Sequence, residues 1–222
     1  MKKTLFIVII LFPLTCISQK LKKIKDKESD YPNEIIYHVL KSNKLIKYGP
    51  YQVKTWTDKF IMQGFYKNDK RDSIWTYYNM KKEIVQKYDF TNDTIVLWND
   101  YYPDSTIFSL IDNGTEKIVQ LERPPLFLGG QGRLSDYILE NLKIPDEMFE
   151  NNYSDNLLIA VTITKEGKII DQNFISGKYE KLNIALMECY KKIPDTWIPA
   201  IYKGNPVDVR FIIPFKLRTK HL

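Results

Sequence analysis

The sequence predicts an α+β fold, in which an all-β antiparallel meander precedes a three-stranded antiparallel sheet with two helices on one face. The main observation is the alternation of apolar side chains over 157–164, which is typical of a strand with one buried face. A turn containing Gly167 and a second apolar segment, 168–176, complete a β-hairpin. Residues 181–192 carry apolar side chains at helical spacing and 207–217 alternate again, which predicts a helix and a last strand.

Composition and charge favour an ordinary globular protein over a nucleic-acid-binding one. The chain has 222 residues, of which 44% are hydrophobic, so it is long enough for one or two domains with their own cores. The formal net charge is +6, but acidic residues are interspersed with the basic ones and no Arg-rich stripe appears. We therefore expect no nucleic-acid partner.

Residues 1–18 predict a secretory signal peptide that is cleaved after Ser18. Two lysines precede an apolar run, 5–14, which is shorter than the roughly 20 residues that span a bilayer. Lipid attachment at Cys16 is one alternative, and retention of the segment as a membrane anchor is another. Once residues 1–18 are removed, Cys189 is the single cysteine, so we expect no disulfide and a buried thiol on the apolar face of its helix.

The N-terminal half predicts a β-meander without a catalytic constellation. The polar, Lys-rich residues 19–30 are interpreted as a flexible lead-in, and 31–118 as short aromatic-rich strands separated by polar turns. Two segments, 41–51 and 67–75, echo each other, and the second resembles MORN-type repeats, although Asp69 and Ser73 replace two usual glycines. Asn113-Gly114 predicts a hairpin turn. Exposed aromatic side chains here could bind a partner or a glycan, but packing between strands explains most of them.

A second domain is predicted over 124–222, after a linker at 119–123. A Gly-rich stretch, 129–132, precedes the predicted helix 133–141, and Pro145 ends that helix. Gly-rich loops of this kind can bind phosphate, but the spacing matches neither the dinucleotide-binding nor the Walker pattern. We interpret the stretch as a tight entry into the helix.

The last predicted strand, 207–217, is expected to lie at the edge of its sheet. No later strand can cover it, and Pro214 lacks a backbone donor, so one side of the strand should be unpaired near that residue. An open edge can accept an extended peptide from a partner protein or pair two copies of the chain into a homodimer. We expect the following residues of this strand to bind the partner: Val207, Asp208, Val209, Arg210, Phe211, Ile212 and Ile213.

An ordered series of residues within 124–217 is similar to the pattern of a known family. The series comprises 125–130, 134–145, Gly167, Ala185-Leu186, Pro194, Trp197, Pro199, Gly204, Pro206-Val207 and Pro214. In this series the chain resembles the TonB C-terminal domain family of the Bacteroidetes type. Departures lie in loops, where Asp155-Asn156 replaces a frequent glycine and two residues, rather than one, separate Pro194 from Trp197. Structural roles are expected for Gly130, Pro145, Gly167, Trp197, Pro199 and Gly204.

The resemblance implies a periplasmic protein-binding module. In the energy transducers of this family, the domain pairs its last strand with a segment of an outer-membrane transporter, and an anchored N-terminal helix and a long Pro-rich linker deliver energy. This sequence shows no such linker. The first hypothesis is therefore a periplasmic module that binds an envelope protein, such as a TonB-dependent transporter, by strand addition. A membrane-anchored energy transducer for outer-membrane nutrient transport is the alternative.

An envelope enzyme is the third hypothesis, and the inventory of residues argues against it. His38 and His221 lie in different regions and Cys189 is expected to be buried, so nucleophilic triads and His-rich zinc sites are poorly supported. A pair of catalytic carboxylates stays open as an alternative. We expect no catalytic residue, no metal and no cofactor.

Overall fold

The computed structural model describes residues 20–27, 34–99, 102–150, 153–193 and 197–219. This part of the chain is mostly β, with 52% of the residues in strands and 15% in helices. Its first seven strands form one antiparallel sheet in chain order. They are β1 (Leu21–Lys27), β2 (Glu34–Leu40), β3 (Lys47–Lys54), β4 (Phe60–Lys67), β5 (Lys70–Tyr78), β6 (Ile84–Asp89) and β7 (Thr94–Trp98).

The rest of the chain builds a second sheet and the helices. In order, its elements are β8 (Phe108–Asp112), β9 (Thr115–Ile118), β10 (Leu126–Phe127), α1 (Gly130–Asn141), α2 (Glu147–Glu150), β11 (Ser154–Ile163), β12 (Ile169–Ser176), α3 (Glu180–Lys191), β13 (Trp197–Ile198), β14 (Ala200–Tyr202), β15 (Asn205–Val207) and β16 (Val209–Arg218). The second sheet has the order β12-β11-β16-β8-β9, and β10-β13 and β14-β15 are short pairs.

The predicted α+β fold class is wrong. The described residues are mostly β, and the sheet that the sequence predicts with three strands has five. The difference comes from the hairpin β8–β9, which is predicted as the end of the meander but pairs with β16. The rings of Phe108 in β8 and Phe211 in β16 lie 5.4 Å apart, so this pairing buries apolar surface.

The segment interpreted as a flexible lead-in contains a strand. Residues Leu21–Lys27 form β1, which pairs with β2 along its whole length. Many lysines are typical of an edge strand, where charged side chains stay in water and discourage pairing with other chains. Lys25 also forms an ion pair of 2.8 Å with Glu34 of β2. Because β1 has so many charged residues, the alternation of hydrophobic residues does not predict it as a strand.

Several predictions concern residues whose structure is not described. The predicted signal peptide, 1–18, and its alternative lipid site at Cys16 lie outside the described residues, as do Pro194 and His221.

The two longer helices, α1 and α3, have 12 residues each. In the described ranges, no helix is long and apolar enough to cross a membrane.

The main core lies between the second sheet and the helices α1 and α3. Alternate residues of β11 and residues three or four apart in each helix meet there, as the two periods require. The cluster includes Leu134, Ile138, Leu157, Ile159, Val161, Leu182, Leu186 and Phe211. A smaller cluster joins the first sheet to β10 and β13 through Tyr88, Leu126 and Ile198. These packings leave β16 in the middle of the second sheet.

Candidate functional site

The strand that the sequence assigns to partner binding, β16, is covered over its first residues and open over the rest. On one side it pairs with β11 along its whole length. On the other side β8 covers 209–211. Within the described residues, no strand pairs with that side of 212–218. We call residues 212–218 the open edge, and it is displaced toward the C-terminus from the expected 207–213.

Backbone groups of the open edge point toward the unpaired side. The carbonyl of Asp208 accepts a hydrogen bond of 2.9 Å from Ile111 N in β8. Because successive residues of a strand direct their backbone groups to opposite sides, those of Ile212 and Lys216 face the same way as those of Asp208. Pro214 faces this way too, so the absence of its N–H does not remove a hydrogen bond to β11. The edge therefore offers the N–H groups of Ile212 and Lys216 and the carbonyls of Ile212, Pro214 and Lys216 to an added strand.

Two of the expected partner-binding side chains make contacts inside the protein. The carboxylate of Asp208 accepts a hydrogen bond of 2.7 Å from Lys165 N, in the turn between β11 and β12. The guanidinium of Arg210 is 20% exposed, donates to Asp171 of β12 and lies 3.7 Å from the carboxylate of Glu116 of β9. These contacts connect strands on both sides of β16. The structure therefore uses both side chains to hold the sheet together.

The other five expected residues divide between the interior and the open edge. Val207 ends β15, and Val209 and Phe211 are buried. Ile212, which is 42% exposed, and Ile213 begin the open edge. The structure therefore brings these two isoleucines together with the last part of β16, which the expected set of residues leaves out.

A cleft of about 220 Å³ lies beside the open edge. Pockets for drug-sized ligands measure about 300–1,000 Å³, so this cleft has room for one side chain rather than for a whole ligand. The loop before β8 turns away at Thr106, whose N–H donates to Pro103 O at 2.8 Å, and it forms one wall. The mainly apolar lining includes Tyr102, Leu134, Ile138, Tyr190, Ile213 and Phe215.

Tyr190 is one of the residues that line this cleft, and its hydroxyl is buried. The residue is 1% exposed, and its hydroxyl has no hydrogen-bond partner in the part of the chain that the structure describes. Two other polar side chains of the lining are engaged, since the Tyr102 hydroxyl donates to Pro125 O at 2.5 Å and Ser135 Oγ bonds a carbonyl of its own helix. Burial raises the pKa of Tyr190, so its hydroxyl is neutral and can donate or accept.

Two residues with expected structural roles, Gly167 and Trp197, lie in contact. Trp197 is 5% exposed, and its ring packs against those of Phe127 and Phe211 at centroid distances of 5.4 and 6.1 Å. Gly167 has a φ of 75°, and a Cβ there would lie 2.1 Å from the carbonyl oxygen of Trp197. The turn between β11 and β12 can therefore approach β13 only with glycine at this position.

Gly130 and Pro145 lie at the beginnings of the helices α1 and α2. Gly130 is the buried first residue of α1 and has a φ of 86°, which favours glycine. The preceding Gly129 has a φ of 100°, and a Cβ there would lie 3.2 Å from the ring of Tyr77. Pro145 O accepts a hydrogen bond of 3.0 Å from Met148 N in the turn that begins α2.

Pro199 and Gly204 contact the predicted linker 119–123. The guanidinium of Arg123 donates to Pro199 O at 2.9 Å, and Gly204 N donates to the carboxylate of Glu122 at 3.2 Å. Gly204 has a φ of 74° in the turn between β14 and β15. Through these contacts the linker is fixed to the second half of the protein.

A larger cleft, which the sequence does not indicate, lies between turns of the first sheet and α1. Two adjoining cavities of about 420 and 570 Å³ form it. Burial raises the pKa of Asp136 in its wall. Among the described residues, none of the buried polar atoms without a partner lines this cleft, and its charges have both signs. Residues that line it include Trp56, Lys59, Met80, Arg133, Asp136 and Leu139.

The described residues contain no group of three or more His, Cys, Asp or Glu side chains that could hold a metal ion. Burial raises the pKa of Cys189, and its Sγ lies 3.8 Å from Ile138 O, so the thiol is a poor nucleophile. His38 is engaged with Pro50 O, at 2.9 Å from its Nδ1. The thiol of Cys189 and the ring of His38 therefore each contact a backbone carbonyl and not each other.

Comparisons with models of known families, with curated proteins and with solved structures found no match. The resemblances to TonB C-terminal domains and to MORN-type repeats therefore stay predictions from the residues themselves. The structure therefore defines a kind of site and not a family. The site is a strand of a five-stranded antiparallel sheet that is open along part of one side, beside a cleft that fits one side chain.

Proposed function

We propose that this chain is a protein-binding module of the cell envelope, which takes up an extended segment of a partner protein on the open edge 212–218. The observation that supports it is that no strand of the described residues pairs with one side of 212–218, whereas β11 pairs with the whole of the other side. An added strand would make backbone hydrogen bonds worth about 0.5–1.5 kcal/mol each, net of those lost to water. Side chains of the partner would then supply specificity.

The envelope location and the kind of partner come from the sequence. The predicted signal peptide implies export, and the resemblance to TonB C-terminal domains implies the periplasm and an outer-membrane partner such as a TonB-dependent transporter. A membrane-anchored energy transducer is the alternative role for the same binding site. A second copy of the chain is the alternative partner at the same edge.

The charge of the open edge favours an acidic partner segment. Lys216 and Arg218 are exposed on it. Charges at the rim of an interface act mainly on the rate of association and on its dependence on salt. We expect Lys216→Glu to slow association with the partner, and added salt to slow association of the wild type.

Photocrosslinking of the full-length protein in its own cells tests the proposal. A benzoylphenylalanine in place of Lys216 should capture an envelope protein. The matched control carries the same probe in place of Ile175, which is exposed on β12 at the other edge of the sheet. Mass spectrometry of the crosslinked product would identify the partner segment, and a product with a second copy of the chain would show the homodimer instead.

Two proline variants test whether the edge itself is bound. Ile212→Pro removes a backbone donor that faces the open edge. Gln172→Pro is the control, because Gln172 pairs opposite Val161 and directs its N–H to the outer side of β12. Ile212→Pro should abolish the crosslink from position 216, whereas Gln172→Pro should leave it. If the crosslink persists in Ile212→Pro at wild-type yield, strand addition at this edge is wrong.

A further inference from the structure

We infer that the cleft beside the open edge binds a tyrosine side chain of the partner's extended segment, with the partner hydroxyl bonded to that of Tyr190. This inference rests on the strand addition proposed above. It assigns an occupant to the cleft of about 220 Å³ and a role to a buried hydroxyl that otherwise has none among the described residues.

Strand register places a partner side chain at the cleft. In the existing pairing, Phe108 of β8 lies opposite Phe211, and both rings belong to or pack against the core between the sheet and the helices. Side chains two residues apart in a strand share a face. An added strand beyond β8 would therefore place its next helix-facing side chain opposite Ile213, which lines the cleft.

The chemistry of the cleft selects among large side chains. Its apolar wall, with Leu134, Ile138 and Phe215, favours an aromatic or aliphatic body. The hydroxyl of Tyr190 costs free energy while it is buried without a partner, so a side chain that brings a hydrogen-bonding group relieves that cost. Tyrosine combines an apolar ring with a hydroxyl at its tip, and phenylalanine lacks the hydroxyl.

Small aromatic probes test the cleft on the full-length protein without any partner. The probes are p-cresol, which is the tyrosine side chain, and toluene, which is the phenylalanine side chain. Binding is measured by titration with nuclear magnetic resonance, and a crystal soak places the ring. In Tyr190→Phe the affinity ratio of p-cresol to toluene should fall by about 2- to 10-fold, because one net hydrogen bond is lost. The desolvation cost of the probe hydroxyl is common to both proteins and cancels in this comparison.

Two variants in the loop before β8 form a matched pair. Thr106 lines the cleft, and Ile107 is an exposed neighbour that does not. Thr106→Trp should fill the cleft and abolish binding of both probes, whereas Ile107→Trp should leave it unchanged. Failure of p-cresol to bind, or an unchanged affinity ratio in Tyr190→Phe, overturns the inference.

The partner segment identified from position 216 gives the final readout. Replacing its tyrosine by Ala should abolish the crosslink, and a segment without a tyrosine overturns the inference. In that case a crosslink that is still lost in Ile212→Pro leaves the proposed function standing. A crosslink that persists in Ile212→Pro instead overturns the strand addition, and the role of the cleft in partner binding with it, even where p-cresol binds.

Discussion

The side chain of Gln86 joins the two halves of the protein: its Nε2 donates to Phe127 O at 3.2 Å, and its Oε1 accepts from Gly129 N at 2.7 Å. Gln86 lies in β6 of the first sheet and is 1% exposed. Phe127 and Gly129 lie where β10 leads into α1. A single buried amide therefore satisfies two backbone groups across the contact, which fixes how the first sheet packs on the second half.

Removing this amide should destabilise the whole protein. Gln86→Leu keeps a similar volume but leaves the N–H of Gly129 buried without an acceptor, at a cost of about 1–3 kcal/mol. Urea unfolding measures the change. The control is Gln63→Leu, since Gln63 is half-buried in the same sheet and bonds the hydroxyl of Tyr78. If Gln86→Leu lowers the free energy of unfolding no more than this control does, the hydrogen bonds of Gln86 do not stabilise the packing of the two halves.

Trp197 should be a determinant of stability. Because its ring is buried against Phe127 and Phe211, Trp197→Ala should cost about 3–5 kcal/mol of a total of about 5–15. Trp197→Phe should cost much less, since the indole Nε1 has no hydrogen-bond partner among the described residues. The control is Trp56→Ala, at a side chain that is 77% exposed, with an expected change within about 0.5 kcal/mol. Thermal unfolding that leaves Trp197→Ala level with Trp56→Ala would contradict the buried position.

Two glycines with nearly equal backbone conformation separate strain from steric conflict. Gly167 and Gly204 have φ values of 75° and 74°, but a Cβ at Gly167 would lie 2.1 Å from Trp197 O, whereas nothing lies within 4 Å at Gly204. Gly204→Ala should therefore cost about 1–2 kcal/mol for the left-handed backbone. Gly167→Ala should cost clearly more, because β13 must also move. Equal losses for the two variants in chemical unfolding would show that the turn can retreat from β13.

Local signals predict the hairpins, and distant pairing decides which sheet they join. Asn113 and Gly114 form the turn between β8 and β9 with φ values of 48° and 78°, as an Asn-Gly pair favours. The sequence nevertheless places this hairpin in the wrong sheet. Its partner is the last strand, β16, and no local sequence pattern in either strand indicates this pairing.

The sequence predicts the open edge only in part, again because the pairing involves distant residues. Pro214 indicates that one side of β16 lacks a full ladder, because proline has no backbone donor. How far the edge extends depends on the coverage of 209–211 by β8, which no local pattern shows. The cleft could not be predicted from the sequence, because the residues that line it come from separate parts of the chain: the loop before β8, α1, Tyr190 and β16.

The mature protein should begin at Gln19. The positively charged start, the short apolar run and the small residues up to Ser18 predict cleavage there. N-terminal sequencing of the protein from its own cells measures the start directly. A start at Cys16 with an attached lipid would show a lipoprotein, and a start at Met1 would favour the anchored energy transducer.

Acid should weaken the contact between α2 and the start of α3. The carboxylate of Glu147 accepts hydrogen bonds from Lys181 at 2.7 Å and from the Tyr179 hydroxyl at 2.5 Å, and these lower its pKa from 4.5 to about 2. A folded-state pKa below the unfolded value means that the contact stabilises the protein fully above pH 4.5 and ceases to do so as the pH falls toward 2. The melting temperature of the wild type should therefore fall more steeply over this range than that of Glu147→Gln. Lys181→Met should resemble Glu147→Gln, because it removes the largest cause of the lowered pKa. Calorimetry measures these melting temperatures. If they fall equally steeply with pH in all three proteins, the contact does not form in the folded state.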